Sequence, residues 1–442
     1  MSATRTILRS LAAFGGSLAV LLGGLALPAA AEPETPVYYA SGSTWTRADG
    51  LGFDTCTAPS LTQLAAWRGT SPYKVVNIYF GGNNRGCAQP NLTRTWVRDA
   101  VVGGWKLLPT YFGYQPYCKF GASKPNRYTV ANAIARGNAD GADAVTQAAA
   151  LGVRPGSGLY ADVEHYDRTD ANCRKAVHMY VSAWTKTVHA SGYLAGVYAH
   201  QDSGIRDLSD AYNWTTYARP DAVWMARWDG NPSLSNWPTA PNSHWPSYQR
   251  AKQYQGDHSE THGGVTMNID SDNVKAPVAT VARTYQVTST DPLNVRSGPA
   301  TSYAAVRTYA PGATLFVVCQ TTGQRVGTTS VWDRLTNGAW ASDYYVSTPS
   351  NTGFSSTLPR CLYPGQVTVD SLNARTGPGA SFPTTGSPLR RGALAPVMCQ
   401  ASGSRVGTTS VWDKLYGNRW VSDYYVSNRS NTTWSAPVPR CP

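Results

Sequence analysis

Four acidic side chains in the first two thirds of the chain stand where β-type segments end, and together they could cleave a glycosidic bond. Asp162 and Glu164 are two residues apart, so on a strand their side chains point to the same side. Asp54 and Asp270 end two other apolar runs. Glycoside cleavage requires such a set, because one carboxyl protonates the departing oxygen while another carboxylate stabilises the oxocarbenium centre or activates water.

The elements that must position these acids alternate between β-type runs and helical stretches from residue 49 to 275, which is typical of an α/β domain. Strands are predicted at 50–56, 75–82, 106–114, 158–166, 193–200, 222–229, 251–256 and 264–270. Helices are predicted near 60–68, 91–102, 127–151 and 171–191, with little clear helix after them. This order predicts a TIM-type (β/α)8 barrel whose last helices are reduced.

Closure of such a barrel would bring the four acids together at one mouth. Catalytic groups of these barrels lie where the strands end, on the face built by the loops that follow them. The eighth strand would lie beside the first, so Asp270 would neighbour Asp54, with Asp162 and Glu164 across the mouth. Clustered acids raise one another's pKa, which keeps one carboxyl protonated near neutral pH.

The last third of the chain is an internal duplication. Residues 319–361 recur as 399–441 with about 27 of 43 positions identical. Two domains are therefore predicted at 283–361 and 362–442, after a linker at 276–282. Within each copy, short alternating segments are separated by Gly, Pro and Asn turns, which predicts a small all-β barrel.

Both copies carry two tryptophans and two neighbouring tyrosines at matching positions. These are Trp332, Trp340, Tyr344 and Tyr345 in the first copy, and Trp412, Trp420, Tyr424 and Tyr425 in the second. They could form a stacking or peptide-binding groove, or they could fill the barrels. We expect the tryptophans to be mainly core and the tyrosines to be partly exposed.

The N-terminal 31 residues have the three parts of a secretory signal peptide. Arg5 and Arg9 precede an apolar run, which ends in small residues with a cleavage site after Ala31. A retained membrane anchor is the alternative, but the run is short for a span. We therefore expect a secreted protein, extracellular or associated with the cell wall, with no membrane span after cleavage and an N-terminal extension at 32–48.

The eight cysteines are an even number on an exported chain, which favours disulfides over a metal cluster. Cys319 and Cys361 are separated by the same distance as Cys399 and Cys441, one pair in each copy, so we predict a bridge within each copy. The other four allow three connectivities. We favour Cys56 with Cys87 and Cys118 with Cys173.

The formal net charge of +12 favours a polyanionic partner. Nucleic acid is not expected, because the chain has no basic helix, zinc finger or recognisable RNA-binding motif. Cell wall, with its carboxylates and phosphates, suits an exported protein better. No cofactor and no metal are expected, because the sequence lacks phosphate-loop, dinucleotide and histidine metal-ligand motifs.

The barrel region resembles two families in its motifs. GFD at 52–54, YADVE at 160–164, VWMARW at 223–228 and NIDSD at 268–272 are similar in order and spacing to the family 25 lysozymes, which cleave peptidoglycan glycan strands. Segments such as LLPTYFGYQ and SGIRDL look closer to a secreted actinobacterial family that is described only as glycoside-hydrolase-like. The lysozyme pattern usually has Asn where this chain has Asp272.

The resemblance implies roles for individual residues. It makes Glu164 the general acid and Asp162 its electrostatic partner, with Asp54 and Asp270 completing an acidic ring. It implies that aromatic and polar side chains line the sugar site, namely Tyr111, Tyr198, Trp224, Arg227, Trp228 and Gln253. Trp224 could equally be a core residue.

Each C-terminal copy resembles the bacterial SH3-type domain. The resemblance rests on Leu-Asn-x-Arg-x-Gly-Pro, on Trp-Asp-x-Leu and on a Trp followed by Ser-Asp-Tyr-Tyr-Val. Members of that family commonly bind cell-wall peptides or glycans, so the resemblance implies targeting. A duplicated binder would gain from effective concentration.

These observations together predict a secreted cell-wall glycosidase of muramidase type that acts on peptidoglycan and is held on its polymer by the two repeats. A non-catalytic wall- or glycan-binding protein is the alternative from another class. A glycosidase for a different polysaccharide is the third. The number of acids favours catalysis, because a cleft that only binds has no need to hold so many like charges together.

Overall fold

The computed structural model describes residues 45–427, 430–436 and 438–441. The predicted signal peptide at 1–31, and the first part of the extension predicted at 32–48, lie outside the described residues. Within the described part of the chain, every helix is too short or too polar to cross a bilayer.

Between residues 50 and 275, eight strands close into a barrel. In chain order they are β1 (Gly50–Asp54), β2 (Val75–Gly81), β3 (Lys106–Tyr111), β4 (Gly158–Val163), β5 (Leu194–His200), β6 (Ala222–Ala226), β7 (Arg250–His262) and β8 (Val265–Lys275). Strands β1 to β7 run parallel, whereas β8 is antiparallel to both of its neighbours, β7 and β1. The predicted closed barrel is confirmed, but the (β/α)8 pattern is wrong for its last strand.

The antiparallel strand arises from a hairpin. Gly263 and Gly264 connect β7 to β8 with φ angles of 56° and 78°. Positive φ angles at two consecutive residues are characteristic of a tight type I′ turn. The pairs from His262↔Val265 to His258↔Ile269 belong only to this hairpin, because β8 pairs with β1 from Asp270 onward. The hairpin therefore extends past the barrel mouth, and Asp270 lies at the mouth in mid-strand.

Helices cover the first part of the barrel as predicted. They are α1 (Leu61–Arg68), α2 (Arg94–Val102), α3 (Ala133–Ala150) and α4 (Ala171–Ala190), followed by the short α5 (Arg206–Asp210). Ser60 begins α1 with a capping box, and Asp170 begins α4 by accepting the backbone N–H groups of Asn172 and Cys173. After β6, residues 227–249 connect to β7 without a regular helix.

Alternation along the strands produces two apolar cores, one on each side of the barrel wall. Val75, Leu108 and Trp224 belong to the cluster inside the barrel. Tyr111 and Trp184 belong to the larger cluster between the strands and the helices. A strand residue therefore reaches the mouth only if its side chain points inward and it lies at the end of the strand nearest the mouth.

The two repeats form separate antiparallel sheets. The first contains β9 (Arg283–Gln286), β10 (Leu293–Arg296), β11 (Ala305–Tyr309), β12 (Thr314–Val326), β13 (Thr329–Leu335) and β14 (Trp340–Ser342). The sheet of the second repeat contains β15 (Tyr363–Val367), β18 (Leu394–Val406), β19 (Thr409–Leu415), β20 (Arg419–Ser422) and β21 (Val426–Ser427). The short strands β16 (Ser371–Leu372) and β17 (Leu389–Arg390) of this repeat pair only with each other. The pairing Gln320↔Asp333 recurs as Gln400↔Asp413.

The aromatic residues of the repeats divide as expected. The four tryptophans at the matching positions are buried, at 1% to 9% exposure, whereas the four matching tyrosines are half-buried. Tyr344 and Tyr345 meet edge to face at 4.9 Å, and Tyr424 and Tyr425 repeat the same distance and angle.

All eight cysteines are joined in the pairs favoured above. Cys56 bonds to Cys87 and Cys118 to Cys173, with Cα atoms 5.7 and 6.1 Å apart. Each repeat closes its own bridge, with Cα atoms 5.0 Å apart in Cys319–Cys361 and in Cys399–Cys441.

The second repeat packs against the base of the barrel, where the parallel strands begin. The backbone N–H of Trp45 donates to the carbonyl of Leu362 at 3.0 Å, and Gln366 Nε2 donates to Asp221 Oδ1 at 3.0 Å. Trp45 and Leu362 share an apolar cluster with Leu194, the first residue of β5. The mouth of the barrel lies at the other end of these strands.

Candidate active site

Asp54 and Asp270 lie side by side at the barrel mouth. They are opposite each other in the register of β1 and β8. Gln253 joins them, because its Nε2 donates to Asp54 Oδ2 at 2.8 Å and to Asp270 Oδ2 at 3.0 Å. Tyr79 adds a hydrogen bond of 3.3 Å from its hydroxyl to Asp54 Oδ1. Adjacent carboxyls are thus held together by neutral donors.

Asp162 and Glu164 are held by one buried glutamine. Gln115 donates from Nε2 to the carbonyl of Asp162 at 2.7 Å, and its Oε1 accepts the backbone N–H of Glu164 at 2.9 Å. Gln115 is fully buried, so these bonds are shielded from water. The end of β4 is thereby fixed in the conformation that presents both acids.

Burial raises the pKa of every acid in this group. For Asp54, burial and then the charge of Asp270 raise the pKa to about 7. Burial, followed by the charge of Glu164, raises the pKa of Asp162 well above its usual range. Burial also raises the pKa of Glu164 and Asp270, although Lys119 and Lys124 oppose the increase at Glu164.

A fifth acid lies one step deeper in the barrel. Asp272 is buried, and its Oδ1 accepts the indole N–H of Trp224 at 2.9 Å. Burial, together with the charges of Asp54 and Asp270, raises its pKa well above the usual range. Asp272 and the other acids form the group called here the acidic ring: Asp54, Asp162, Glu164, Asp270 and Asp272.

Two cavities open at the mouth, on either side of Trp228. The first, of about 310 Å³, is lined by Asp54 and Asp270. The second, of about 480 Å³, is lined by Glu164, with Tyr198 and Arg227 on its walls. Trp228 lines both, and 63% of its surface is exposed. An exposed indole between two polar cavities suits the apolar face of a sugar ring.

Four of the six predicted sugar-site residues meet at this place. Tyr198 and Trp228 both donate to Gln253 Oε1, at 3.1 and 2.8 Å. Arg227 donates to Gln201 Oε1 at 2.6 Å and pairs with Asp229. Gln253 is therefore the hub that connects the aromatic side chains with the acidic ring.

Two predicted sugar-site residues lie elsewhere. Tyr111 points outward from β3 into the layer between strands and helices, where its hydroxyl donates to Asp143 of α3 at 2.6 Å. Trp224 is fully buried inside the barrel, beneath the ring, and does not line either cavity. Trp224 contacts the site through Asp272 and through the ring of Tyr198, whose centre lies 4.7 Å from that of Trp224.

Sequence reasoning missed the neutral donors and the cations of the site. Gln115 and Tyr79 give no local signal, because their partners are distant along the chain. Lys124 and Arg85 line the first cavity from loops outside the strands. Among the described residues, no group of three or more His, Cys, Asp or Glu side chains is placed to hold a metal ion.

Comparison with known proteins finds one matching family. The family described as Rv2525c-like, glycoside hydrolase-like domain matches residues 65–274, a little under half of the chain. That segment is therefore similar to a glycoside hydrolase-like domain. No curated protein is significantly similar to the chain.

Solved structures that match part of this chain include proteins from bacteria and a phage. An uncharacterised protein of B. stearothermophilus is 19% identical, with a TM-score of 0.36, over 51% of this chain and 95% of its own. The Tat-secreted protein Rv2525c of Mycobacterium tuberculosis, solved with L-tartrate, is 17% identical with a TM-score of 0.36, over 51% and 96%. The catalytic domain of endolysin ply40 from Listeria monocytogenes bacteriophage P40 is 16% identical with a TM-score of 0.31, over 52% and 94%.

Proposed function

We propose that this protein is a secreted cell-wall glycosidase that cleaves peptidoglycan glycan strands in the manner of a muramidase, with its two SH3-like repeats holding it on the wall. The acidic ring beneath the exposed Trp228 is the observation that carries the proposal. Glycoside cleavage needs a protonated carboxyl and an ionised one in the same cleft, and a buried cluster of acids provides both.

Glu164 is the proposed general acid. It lines the larger cavity, and burial raises its pKa, so a larger fraction stays protonated near neutral pH. The two hydrogen bonds of the Gln115 side chain orient the backbone on both sides of Val163. A sugar stacked on Trp228 would place its glycosidic oxygen within reach of Glu164, since both side chains line one cavity.

Asp54 and Asp270 are the proposed source of negative charge across the mouth. Their shared donor, Gln253, is neutral, so it orients the two carboxyls without cancelling their charge. A carboxylate at this position would stabilise a developing oxocarbenium ion or activate water. Asp162 is the proposed electrostatic partner of Glu164.

Secretion is part of the proposal. Four disulfides suit an oxidising compartment. The basic surface suits an acidic polymer, and the half-buried tyrosine pairs of the repeats offer aromatic contacts to it. Peptidoglycan is therefore the proposed partner, and nucleic acid is not.

The test is to incubate the mature protein with purified peptidoglycan and to identify the released ends by mass spectrometry. Glu164→Gln should lower the rate by about 10²- to 10⁴-fold, because the amide keeps the shape but cannot deliver a proton. Asp167→Asn is the matched control. Asp167 binds Thr169 in a local turn, which Asn can reproduce, so activity should survive.

Two outcomes would contradict the assignment. Equal cleavage by the unmutated protein and Glu164→Gln would remove Glu164 from the role of acid. If neither protein cleaves any wall preparation and both still bind it, the barrel is a glycan-binding module, which is the alternative function.

A further inference from the structure

One arginine organises the loop that faces the acidic ring. Arg127 donates to five backbone carbonyls, at 2.6 to 3.2 Å, belonging to Pro116, Lys119, Gly121, Ser123 and Lys124. We call residues 116–127 the lysine loop. The disulfide from Cys118 to Cys173 ties the same loop to α4. The loop is therefore built to hold one conformation.

Lys124 is presented from this loop at an energetic cost. Its φ of 65° lies in the left-handed region, which a residue with a Cβ adopts only where the surroundings impose it. The ammonium lies 4.3 Å from the centre of the Phe112 ring and donates to the carbonyl of Asn84 at 3.3 Å. Phe112 and Lys124 both line the cavity of Asp54 and Asp270.

The cation lies at the acidic ring without being paired to it. Within the described part of the chain, no carboxylate lies within 4.0 Å of Lys124 or of Arg85, which lines the same cavity. A Cβ on Gly86 would come within 3.0 Å of the Lys124 ammonium, so the bare glycine leaves the ammonium room beside Arg85. Lys124 acts on Glu164 only through space, so both cations that line this cavity can still bind an anion from outside the chain.

We propose that Lys124, together with Arg85, forms a subsite that binds a carboxylate on the glycan, so that the enzyme selects acidic sugar chains over neutral ones. This inference rests on the proposed function. The subsite shares a cavity with Asp54 and Asp270, so the ligand carboxylate belongs to the sugar held there. The guanidinium of Arg85 can bind a planar carboxylate through two parallel hydrogen bonds, while Lys124 supplies a point charge.

The experiment measures binding by calorimetry on the full chain carrying Glu164→Gln, so that no ligand is cleaved. The ligand is a peptide-free peptidoglycan oligosaccharide with free lactyl carboxylates, compared with the same oligosaccharide after its carboxyls are reduced to alcohols. We expect the acidic ligand to bind at least about tenfold more tightly. Adding Lys124→Gln should abolish that preference, whereas Lys175→Gln, which removes a charge from the exposed side of α4, should keep it.

The outcomes separate this inference from the proposed function. The subsite is wrong if the protein binds the two ligands with equal affinity, or if Lys124→Gln lowers the affinity for both ligands by the same factor. Either result would overturn the subsite even if the unmutated protein cleaves wall. A Lys124-dependent preference in a protein that cleaves nothing would support the subsite and reject the glycosidase. Displacement of the acidic ligand by inorganic phosphate at concentrations where acetate has no effect would mean that the anion is a phosphate, and the carboxylate assignment would be wrong.

Discussion

Asp54 illustrates how a residue with a proposed function can lower the stability of the fold. It is buried, its donors are neutral, and another carboxyl stands opposite to it. Ionising such a group costs free energy that the unfolded chain does not incur. The folded-state pKa of about 7 lies above the usual 3.8, so between these values the folded state binds more protons than the unfolded state.

The free energy of unfolding should therefore fall as pH rises from about 4 to about 7, because the folded state must release a proton that the unfolded chain has already released. Asp54→Asn should remove that loss, because an amide does not titrate and can still bind Gln253 and Tyr79. We expect the variant to have a higher melting temperature at pH 8, with a difference that shrinks toward pH 4, and to lose the proposed glycosidase activity.

Thermal unfolding at pH 4 and pH 8 measures this effect. Asp49→Asn is the control, because Asp49 is exposed and its ion pair with Lys275, at 3.2 Å, is worth little in water. An Asp54→Asn variant that is less stable than the unmutated protein at pH 8 would contradict the argument.

At the scale of residues, the sequence predicted the acids better than their neighbours. Strand ends and period-two spacing were enough to select Asp162 and Glu164 and to place Asp270 beside Asp54. Tyr111 was wrongly placed in the sugar site. Adjacent side chains on β3 point to opposite faces, and the hydroxyl of Thr110 contacts Asn77 inside the barrel, so Tyr111 points outward. A continuous run of apolar residues does not show which side chains of β3 point inward and which point outward.

At the scale of elements, the hairpin from β7 to β8 was the feature that sequence reasoning missed. The segment His262-Gly263-Gly264-Val265 carries the signal, since consecutive glycines between two β-type runs are typical of a tight turn. The number of strands and the closure were still predicted, because hydrophobic patterning specifies a strand but does not specify its direction.

Each repeat contains a buried glutamine that should be essential to its sheet. Gln320 Nε2 donates to Asp333 Oδ1 and Asp343 Oδ1 at 2.9 and 2.8 Å, and its Oε1 accepts the backbone N–H of Ser355 at 2.8 Å. Gln400 makes the corresponding bonds in the second repeat. One amide thus joins two buried carboxyls and one backbone group.

Gln320→Leu should destabilise the protein by about 2–5 kcal/mol, because it leaves buried polar groups without their donor or acceptor. Gln400→Leu should cost a similar amount. Denaturant unfolding measures both, with Gln286→Leu as the control, since the Gln286 side chain is exposed and makes no hydrogen bond within the described part of the chain, so stability should change by less than about 0.5 kcal/mol. If neither Gln320→Leu nor Gln400→Leu changes the free energy of unfolding, these hydrogen bonds make no net contribution to stability.

At the scale of the whole molecule, the second repeat packs directly against the barrel. Arg47 lies between the rings of Tyr248 and Tyr416, 3.7 and 3.8 Å from their centres, so it joins the barrel to the second repeat. Within the predicted linker at 276–282, Pro277 and Val278 pair with residues 46–47 beside the barrel. This arrangement keeps the acidic mouth clear of the repeats.

The tyrosine pairs of the repeats give the last prediction. In the first repeat a cavity of about 740 Å³ is lined by Tyr344, Tyr345 and Asp291. If the repeats bind wall through these rings, Tyr344→Ala should weaken retention on insoluble peptidoglycan by about tenfold or more, because losing one of two linked sites also removes the gain from effective concentration. Adding Tyr424→Ala should abolish retention at moderate salt, where charge attraction is screened.

Sedimentation with insoluble wall measures retention, and hydrolysis of soluble fragments measures the barrel separately. The soluble rate should stay unchanged in both variants, because the second repeat contacts the barrel at Leu194 and Asp221, at the end opposite the mouth. Tyr309→Ala is the control, since Tyr309 is a half-buried tyrosine of the same repeat that does not line the cavity. Full retention by the Tyr344→Ala, Tyr424→Ala double variant would exclude these rings as the wall-binding surface, whereas a parallel loss of soluble hydrolysis would mean that the repeats support the barrel's fold instead of targeting it.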